Sequence, residues 1–497
     1  MEGLWLLTVF LVPLMFVGQD YAVSEALIAY VEVPKVALLR TLAGLMALLW
    51  ALEWAITSRA FQGSFESISI NGLARNLRPT RIVSGLTIWV KGHPTRWLTL
   101  AAGLFFSSTL VSTVFSGSFT NSMWGEIPGQ DGYSAYTIAS YGVLFSVIAT
   151  HLKSRAQLGR LLGALVLMGF LVGLYAVLQH YGYDFFSLIN SSGGGKNRVS
   201  VFMGNPIFAA AVLSMTVPIT LMAAAINFRD ETWGNWGPWT RLGQLGRDTL
   251  FTFLWALVLS IQILGLTFTF SRGPWLGTVV SLVIFLAIMV IPLGWRILIR
   301  TILVLGLSGV LGVAFLHWQG SISVINFGSW LGFVIALLGL AGVFTVLYVI
   351  KKFERAIVFI SAAGAIIGIA VASAIAPSAL SSLGSADPTV SSAGASSTTS
   401  QLGGRITSIK SQVLGGTFGG RNEHWKVSWT LIKNRPWFEF DDLSFPWLRQ
   451  LIGYGPDLFR YTYLLESPPG PPGVHAFFPK QPDHAHNFFI HQIVEQG

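Results

Sequence analysis

Runs of about twenty residues without a charge recur along this chain, and each is long enough to cross a bilayer as one helix. Residues 161–179, 201–226 and 249–270 are three such runs. In hydrocarbon the backbone has no water to bond, so a helix must satisfy its N–H and C=O groups internally. Eleven segments qualify or nearly so, near 3–18, 36–56, 97–116, 135–152, 161–179, 201–226, 249–270, 274–293, 297–316, 330–350 and 356–376. The expected fold is all-α, a polytopic integral membrane protein. Composition excludes the alternatives: 53% of residues are hydrophobic and 11% charged, against about 25% charged in a soluble domain. A soluble globule needs more charge to coat its surface, and disorder needs less hydrophobicity. Leu4–Val17 has the length of a signal peptide, but no basic residue precedes it, so it reads as the first span.

A net charge of +9 could point to nucleic acid. The basic residues sit between apolar runs, however, which makes them topology signals. With a cytoplasmic N-terminus, the inside loops hold Arg59, Arg75, Arg78, Arg81, Lys91, Arg96, Lys153, Arg155, Arg160, Arg229, Arg241, Arg247, Arg296, Arg300, Lys351, Lys352 and Arg355. The short outside loops hold only Lys35, Lys196, Arg198 and Arg272. Seventeen against four is a strong positive-inside bias. It places the 180–200 loop, the Ser271-Arg272-Gly273 turn and everything after Pro377 outside the cytoplasm. The chain has no cysteine, which excludes disulfides, thiolate metal sites and cysteine nucleophiles.

Residues 377–420 are Ser-, Gly-, Ala- and Thr-rich and read as a flexible linker. From Arg421 to Gly497 the texture is amphipathic, with Trp425, Trp429, Trp437 and Trp447, and reads as a large extracytoplasmic loop. Asn422–Lys433 suits a short helix that Arg435-Pro436 ends. Asp483–Gly497 reads as the first turns of another helix, so the sequence is expected to be a fragment with further spans beyond it.

Four places carry residues suited to chemistry. Arg272 follows an apolar span and precedes Pro274, which fits a first helical turn; it is either a snorkelling arginine or an anion ligand beside a helix N-terminus. Gly193-Gly194-Gly195-Lys196-Asn197-Arg198 is a flexible loop or a phosphate cradle, and Gly204-Asn205-Pro206 puts a polar turn at membrane depth, where it must face protein or a water-filled cavity. His475, His484, His486 and His491 crowd the last 25 residues. A metal site there is disfavoured: if a helix begins at this point, His484 and His486 diverge by about 200°. The alternatives are a surface loop and a general base, for which a helix N-terminus favours the neutral imidazole while Asp483 opposes it. Arg421 opens the structured part of the loop, as an anion ligand or as a headgroup anchor among tryptophans.

Together, Arg198…Gly204-Asn205-Pro206, Thr269-Phe270-Ser271-Arg272-Gly273-Pro274-Trp275, Arg421…Trp425…Asn434-Arg435-Pro436, Gly453-Tyr454-Gly455 and Ala485-His486-Asn487…Glu495-Gln496-Gly497 resemble the O-antigen ligase family, within the O-antigen ligase/polymerase superfamily of bacterial membrane glycosyltransferases. The resemblance covers roughly residues 195–497. It implies a fold similar to the C-type glycosyltransferases, located in the bacterial cytoplasmic (inner) membrane. It further implies transfer of a glycan from undecaprenyl pyrophosphate to a glycan, lipid or protein acceptor on the outer face. Carried over, the functional arginines are Arg272 and Arg421 and the functional histidine is His486, with Arg198 and Asn205 as further donor contacts and His484, Asn487 and Trp425 as secondary candidates. The family's Asn-Pro-Asn stands here as Asn205-Pro206-Ile207, so a contact from the second asparagine is missing.

The residue types suit that reaction. A pyrophosphate leaving group needs its growing charge neutralised, which arginines do without a metal or cofactor. The acceptor needs a base, for which His486 is the candidate, and direct displacement inverts the anomeric carbon. Ligation to a lipid core, polymerisation of repeat units and protein glycosylation are equally open at this point. The competing class is a flippase or transporter of lipid-linked glycan. It is disfavoured by the absence of an internal repeat and by the scarcity of charge inside the spans, Arg40 and Glu53 being the main ones. A structural scaffold leaves the outer arginines and histidines unexplained.

The charge alternation makes a direct prediction. In the cysteine-free chain, Tyr183→Cys in spheroplasts reacts with an impermeant maleimide, whereas Ser154→Cys reacts only after the membrane is opened. Labelling of both from outside would break the assigned topology.

Overall fold

The computed structural model describes residues 1–18, 28–57, 85, 87–93, 96–125, 132–186, 198–230, 244–318, 421–438, 445–467 and 484–497. No strand occurs among them. The helices are α1 (Glu2–Leu14), α2 (Val33–Thr57, entered through a π-turn at Ile28–Glu32), α3 (Arg96–Val114), α4 (Phe119–Trp124), α5 (Ala135–His151), α6 (Arg155–His180), α7 (Pro206–Asp230), α8 (Gln244–Phe268), α9 (Arg272–Trp318), α10 (Arg421–Asn434), α11 (Arg449–Ile452), α12 (Phe459–Glu466) and α13 (Phe488–Gln496). Among the described residues, seven helices are long and apolar enough to cross a membrane: Tyr30–Thr57, Arg96–Val114, Arg155–His180, Pro206–Ala225, Leu250–Phe268, Arg272–Met289 and Ile297–Leu316. The protein is therefore an all-helical, multi-pass membrane protein. The expected spans 3–18 and 135–152 correspond to the shorter α1 and α5. Spans 330–350 and 356–376 and the 377–420 linker lie outside the described residues.

One boundary differs from the sequence reading, for a local reason. The span expected from residue 201 begins as a helix only at Pro206, because Val201–Met203 form a 3-10 turn and Gly204 turns the chain at φ 68°. The spans expected at 274–293 and 297–316 are both present, as the two parts of α9 on either side of a break at Gly294. Its φ of 71° is a conformation that a Cβ makes costly.

The chain divides into two compact units, Met1–Gln157 with Thr417–Gly497, and Leu158–Gly416. In the first, α1, α2 and α5 run alternately up and down. At one end of the unit, His151 Nε2 lies 2.8 Å from Glu53 Oε2, and Gln157 donates to Glu2 at 3.3 Å. At the other end, Lys35 Nζ donates to the carbonyls of Pro13 and Met15. Arg40, the charge expected to be most costly inside a span, donates to Ser134 Oγ and Thr137 Oγ1, both at 2.8 Å. Its guanidinium also lies 4.7 Å from the Tyr136 ring centroid.

Residues 445–467 and 484–497 pack at the end of this unit where α3 finishes. The buried hydroxyl of Ser112 sits 2.6 Å from the Ile452 carbonyl and 2.7 Å from that of Glu495. Here the Gly453-Tyr454-Gly455 motif has its reason. A Cβ on Gly453 would lie 2.3 Å from the Glu495 carbonyl carbon, and one on Gly455 would lie 2.4 Å from Ser116 Cβ. Both glycines also have positive φ. Tyr454 between them is buried and donates to the Pro436 carbonyl at 2.7 Å. Val427, Leu431, Phe459, Tyr463, Ala485 and Val494 complete the core around it.

In the second unit, α7, α8 and α9 pack against one another around Val217, Leu221, Ala224, Ala256, Leu259 and Val304. α6 meets α8 through glycines, the close approach favoured between membrane helices. A Cβ on Gly265 would stand 2.8 Å from Gly173 Cα. Deeper in this seam, buried Gln262 accepts from Thr220 Oγ1 at 2.9 Å and donates to the Val166 carbonyl at 3.5 Å.

Because the obstacle at Gly265 is backbone, Gly265→Ala is expected to cost about 1–3 kcal/mol through overpacking. Gly306→Ala, where nothing stands within 4 Å of the added carbon, leaves stability unchanged or slightly raised. Thermal unfolding of the two variants in detergent, side by side, checks this contrast.

Candidate functional site

In the second unit the chain folds an arginine-bearing turn between α8 and α9. Phe270, at φ 49°, stops α8, and Ser271 begins the next helix by accepting from Trp275 N–H at 3.2 Å. The Trp275 indole N–H reaches back to the Leu266 carbonyl at 2.8 Å, satisfying one of the groups that a helix end leaves open. Arg272 is therefore the first residue of α9, as its position before Pro274 implied. Arg198 is brought to the same turn: its Nε donates to the Thr269 carbonyl and one terminal nitrogen donates to Ser271 Oγ, each at 3.1 Å. Two arginines predicted from separate motifs thus meet at one turn.

The support behind Arg198 is not visible in the motifs. Gln179, buried at the last turn of α6, accepts from Val201 N–H at 2.9 Å and donates to Asp184 at 3.2 Å. Tyr175 donates to the same carboxylate oxygen at 2.5 Å and stacks on Phe202 at 4.7 Å. Val201 is thereby held at φ 53°, three residues beyond Arg198. Two polar side chains closing an otherwise apolar span, Gln179 and His180, are the available signal. His180 stacks flat on Phe268 at 3.8 Å, against the end of α8. Asn205 acts locally. Its Oδ1 accepts from Ile207 N–H at 2.9 Å and its carbonyl from Phe208 and Ala209, so it is the N-cap of α7.

The first unit holds the histidines. α13 starts only at Phe488, with Asn487 as its N-cap accepting from Phe489 and Ile490 N–H at 3.1 and 3.3 Å. His484 and His486 precede the helix, so the 200° divergence expected of helical neighbours does not apply. Their rings lie 4.4 Å apart, edge to face. His486 is exposed and held at φ 53°, between Asn487 and Ala485, whose carbonyl accepts from the Trp425 indole at 3.0 Å. Trp425 thus positions the His486 backbone through a hydrogen bond. His424, one residue earlier on α10, brings its ring to 5.7 Å from that of His486 and pairs through Nδ1 with the Tyr463 hydroxyl at 3.0 Å. The Tyr133 ring lies 6.4 Å from His484 and 4.6 Å from His491. Burial, and then the Glu495 carboxylate, push its phenol upward, so the hydroxyl stays protonated.

Arg421 opens α10, and its side chain lies outside the described part of the structure, as do His475 and Asp483. Arg435, quoted in the motif with Asn434 and Pro436, has a structural use: its two terminal nitrogens donate to the Val494 and Ile493 carbonyls at 2.8 and 2.7 Å. His491 and Glu495 are buried together, 3.2 Å apart, with Glu495 Oε1 accepting from Phe459 N–H at the start of α12. Among the described residues, no three His, Asp or Glu side chains converge in a metal-binding arrangement.

No family model, curated protein or solved structure matches the chain.

Gln179→Leu strands the Val201 N–H and is expected to lower stability by about 1–3 kcal/mol. Ser271→Ala removes one bond to the Arg198 guanidinium without opening a large cavity. It is expected to leave thermal unfolding nearly unchanged while reducing protection of the protein by added inorganic pyrophosphate. Equal protection of Ser271→Ala and the parent chain would separate this turn from anion binding.

Proposed function

We propose that the protein is a membrane glycosyltransferase of the O-antigen ligase type, acting in the bacterial cytoplasmic membrane and transferring a glycan from undecaprenyl pyrophosphate to an acceptor on the outer face. The observation that carries the reading is the fixed Arg198 guanidinium at the turn that bears Arg272. Two permanent cations at a helix N-terminus, whose first N–H groups have no partner within the helix, are suited to a pyrophosphate. In this reading the acceptor hydroxyl attacks the anomeric carbon while the bond from that carbon to the pyrophosphate oxygen breaks. The electron pair leaves on the pyrophosphate, whose charge the arginines stabilise, and the configuration at carbon inverts. The proton of the acceptor passes to the His486 imidazole.

Two further features support the base assignment. His486 is exposed at its turn, and its backbone is held on both sides, by the Trp425 bond to Ala485 and by the Asn487 cap. A base must be both reachable and fixed. Arg421 and Asn205 remain proposed donor contacts, and His484 a proposed auxiliary to His486. The outward orientation of the histidine segment rests on the alternation of basic loops. Ligation, polymerisation and protein glycosylation share this donor chemistry and differ in the acceptor.

The test uses the complete gene product in proteoliposomes with undecaprenyl-pyrophosphate-linked oligosaccharide, excess chelator and candidate acceptors. Acceptor-dependent release of undecaprenyl pyrophosphate is expected, reduced by about 10²–10⁴-fold in His486→Ala and abolished in Arg272→Ala. Unchanged turnover in either variant removes that residue's role. Movement of intact lipid between leaflets without release would replace the transferase reading with a flippase.

A further inference from the structure

We infer that residues 445–452, within the segment read from sequence as an extracytoplasmic loop, lie in the lipid of the bilayer boundary, with Phe445, Trp447 and Leu451 as the contact surface. This rests on the membrane-spanning character of α3 and is independent of the proposed reaction.

The first observation is an inside-out polarity. A short helix in water turns its charge outward and its leucine inward. Here Arg449 is 1% exposed, whereas Phe445, Trp447 and Leu451 are 59, 62 and 65% exposed. Gln450 is also exposed, which gives the segment one polar group on its outer side.

The second observation is depth. Arg449 donates to the Phe115 carbonyl at 2.7 Å, immediately after α3 ends, and to Gly453 at 3.0 Å. Ser112 and Ser108 bond the carbonyls of Ile452 and Gln496. At 1.5 Å per residue, Ser108 to Val114 covers about 9 Å of the final turns of the span. The segment therefore lies beside the last part of a membrane helix, within the reach of the boundary layer. Its neighbour α3 exposes Leu110, Val111 and Val114 over the same turns, and Phe115 follows, so the segment is bonded to a stretch of span that itself presents apolar side chains outward.

The third observation is that backbone acceptors around the segment are bonded within the protein, as non-helical chain at membrane depth requires. Ile452 O takes the Ser112 hydroxyl, Gly453 O takes Arg449, and Glu495 O takes Gly455 N–H at 2.8 Å. An aromatic pair, Phe445 and Trp447 at 6.4 Å, at the rim of such a segment is the composition of a membrane interface. Attachment to the last turns of a membrane-crossing helix that exposes apolar side chains favours lipid over a soluble partner or a second copy.

The cysteine-free chain permits a direct test on the full protein in nanodiscs. Single spin labels at Trp447→Cys and Leu451→Cys are compared with Val111→Cys on α3 and Lys433→Cys on α10, using oxygen and a water-soluble nickel chelate as relaxing agents. Both labels are expected to lose nickel accessibility relative to Lys433→Cys and to gain oxygen accessibility, as Val111→Cys does. Nickel accessibility equal to that of Lys433→Cys overturns the inference in favour of an aqueous loop. Protection from both agents also overturns it, pointing to another protein surface, and crosslinking of Trp447→Cys then tells whether that surface is a second copy. Quenching of the unsubstituted protein by brominated lipid is compared with that of Trp447→Phe as an independent readout. Loss of part of the quenched signal is expected in Trp447→Phe, and an unchanged quenched fraction counts against the inference.

Discussion

A polar group at bilayer depth has no water to turn to, and the whole architecture answers to that constraint. Along the spans the helices meet it automatically, since each N–H finds a carbonyl within the same segment. Two polar side chains inside the spans have partners on other elements. Arg40 is held by Ser134, Thr137 and the Tyr136 face, and Gln262 is held between Thr220 and the Val166 carbonyl. Neither set lies on one helix, so each polar residue also fixes which helices are neighbours. The close glycine contacts at 169, 173 and 265 then set how near the backbones come.

The same constraint explains why the candidate residues collect at helix ends. Four N–H groups at the start of a helix and four carbonyls at its end are left open, so a terminus near the bilayer surface must be capped or must face water or a ligand. The α8–α9 turn is capped by Trp275 at one side and braced by Arg198 at the other. The α13 start is capped by Asn487. In both places the bonds hold the backbone at a residue with a cationic or titratable side chain, Arg272 or His486. Each unit carries one such terminus.

How much of this is legible in the sequence follows from the range of the interactions. Uncharged runs and a proline after Arg272 are local signals, and they locate the described spans and the α8–α9 turn. The meeting of Arg198 with Ser271 is not local: 73 residues separate them, and only the resemblance links their motifs. His424 with Tyr463, and Gln179 with Val201 and Asp184, escape a sequence reading because nothing in the neighbouring residues marks the partner. The His484–His486 pair departs from expectation for a different reason. The helix starts later than the sequence suggests, and an irregular turn brings side chains together that a helix would separate.

The φ of 53° at His486 shows how these levels act together. A left-handed conformation at a non-glycine residue costs about 1–2 kcal/mol, so it persists only where the surroundings determine it. Ala485 cannot relax without losing the Trp425 bond and its place in the core with Tyr454, Phe459 and Val494. Asn487 cannot relax without uncapping α13. The strain therefore sits at the one residue between two fixed neighbours, and it is the exposed histidine that carries it. A glycine there would remove the strain and the imidazole together.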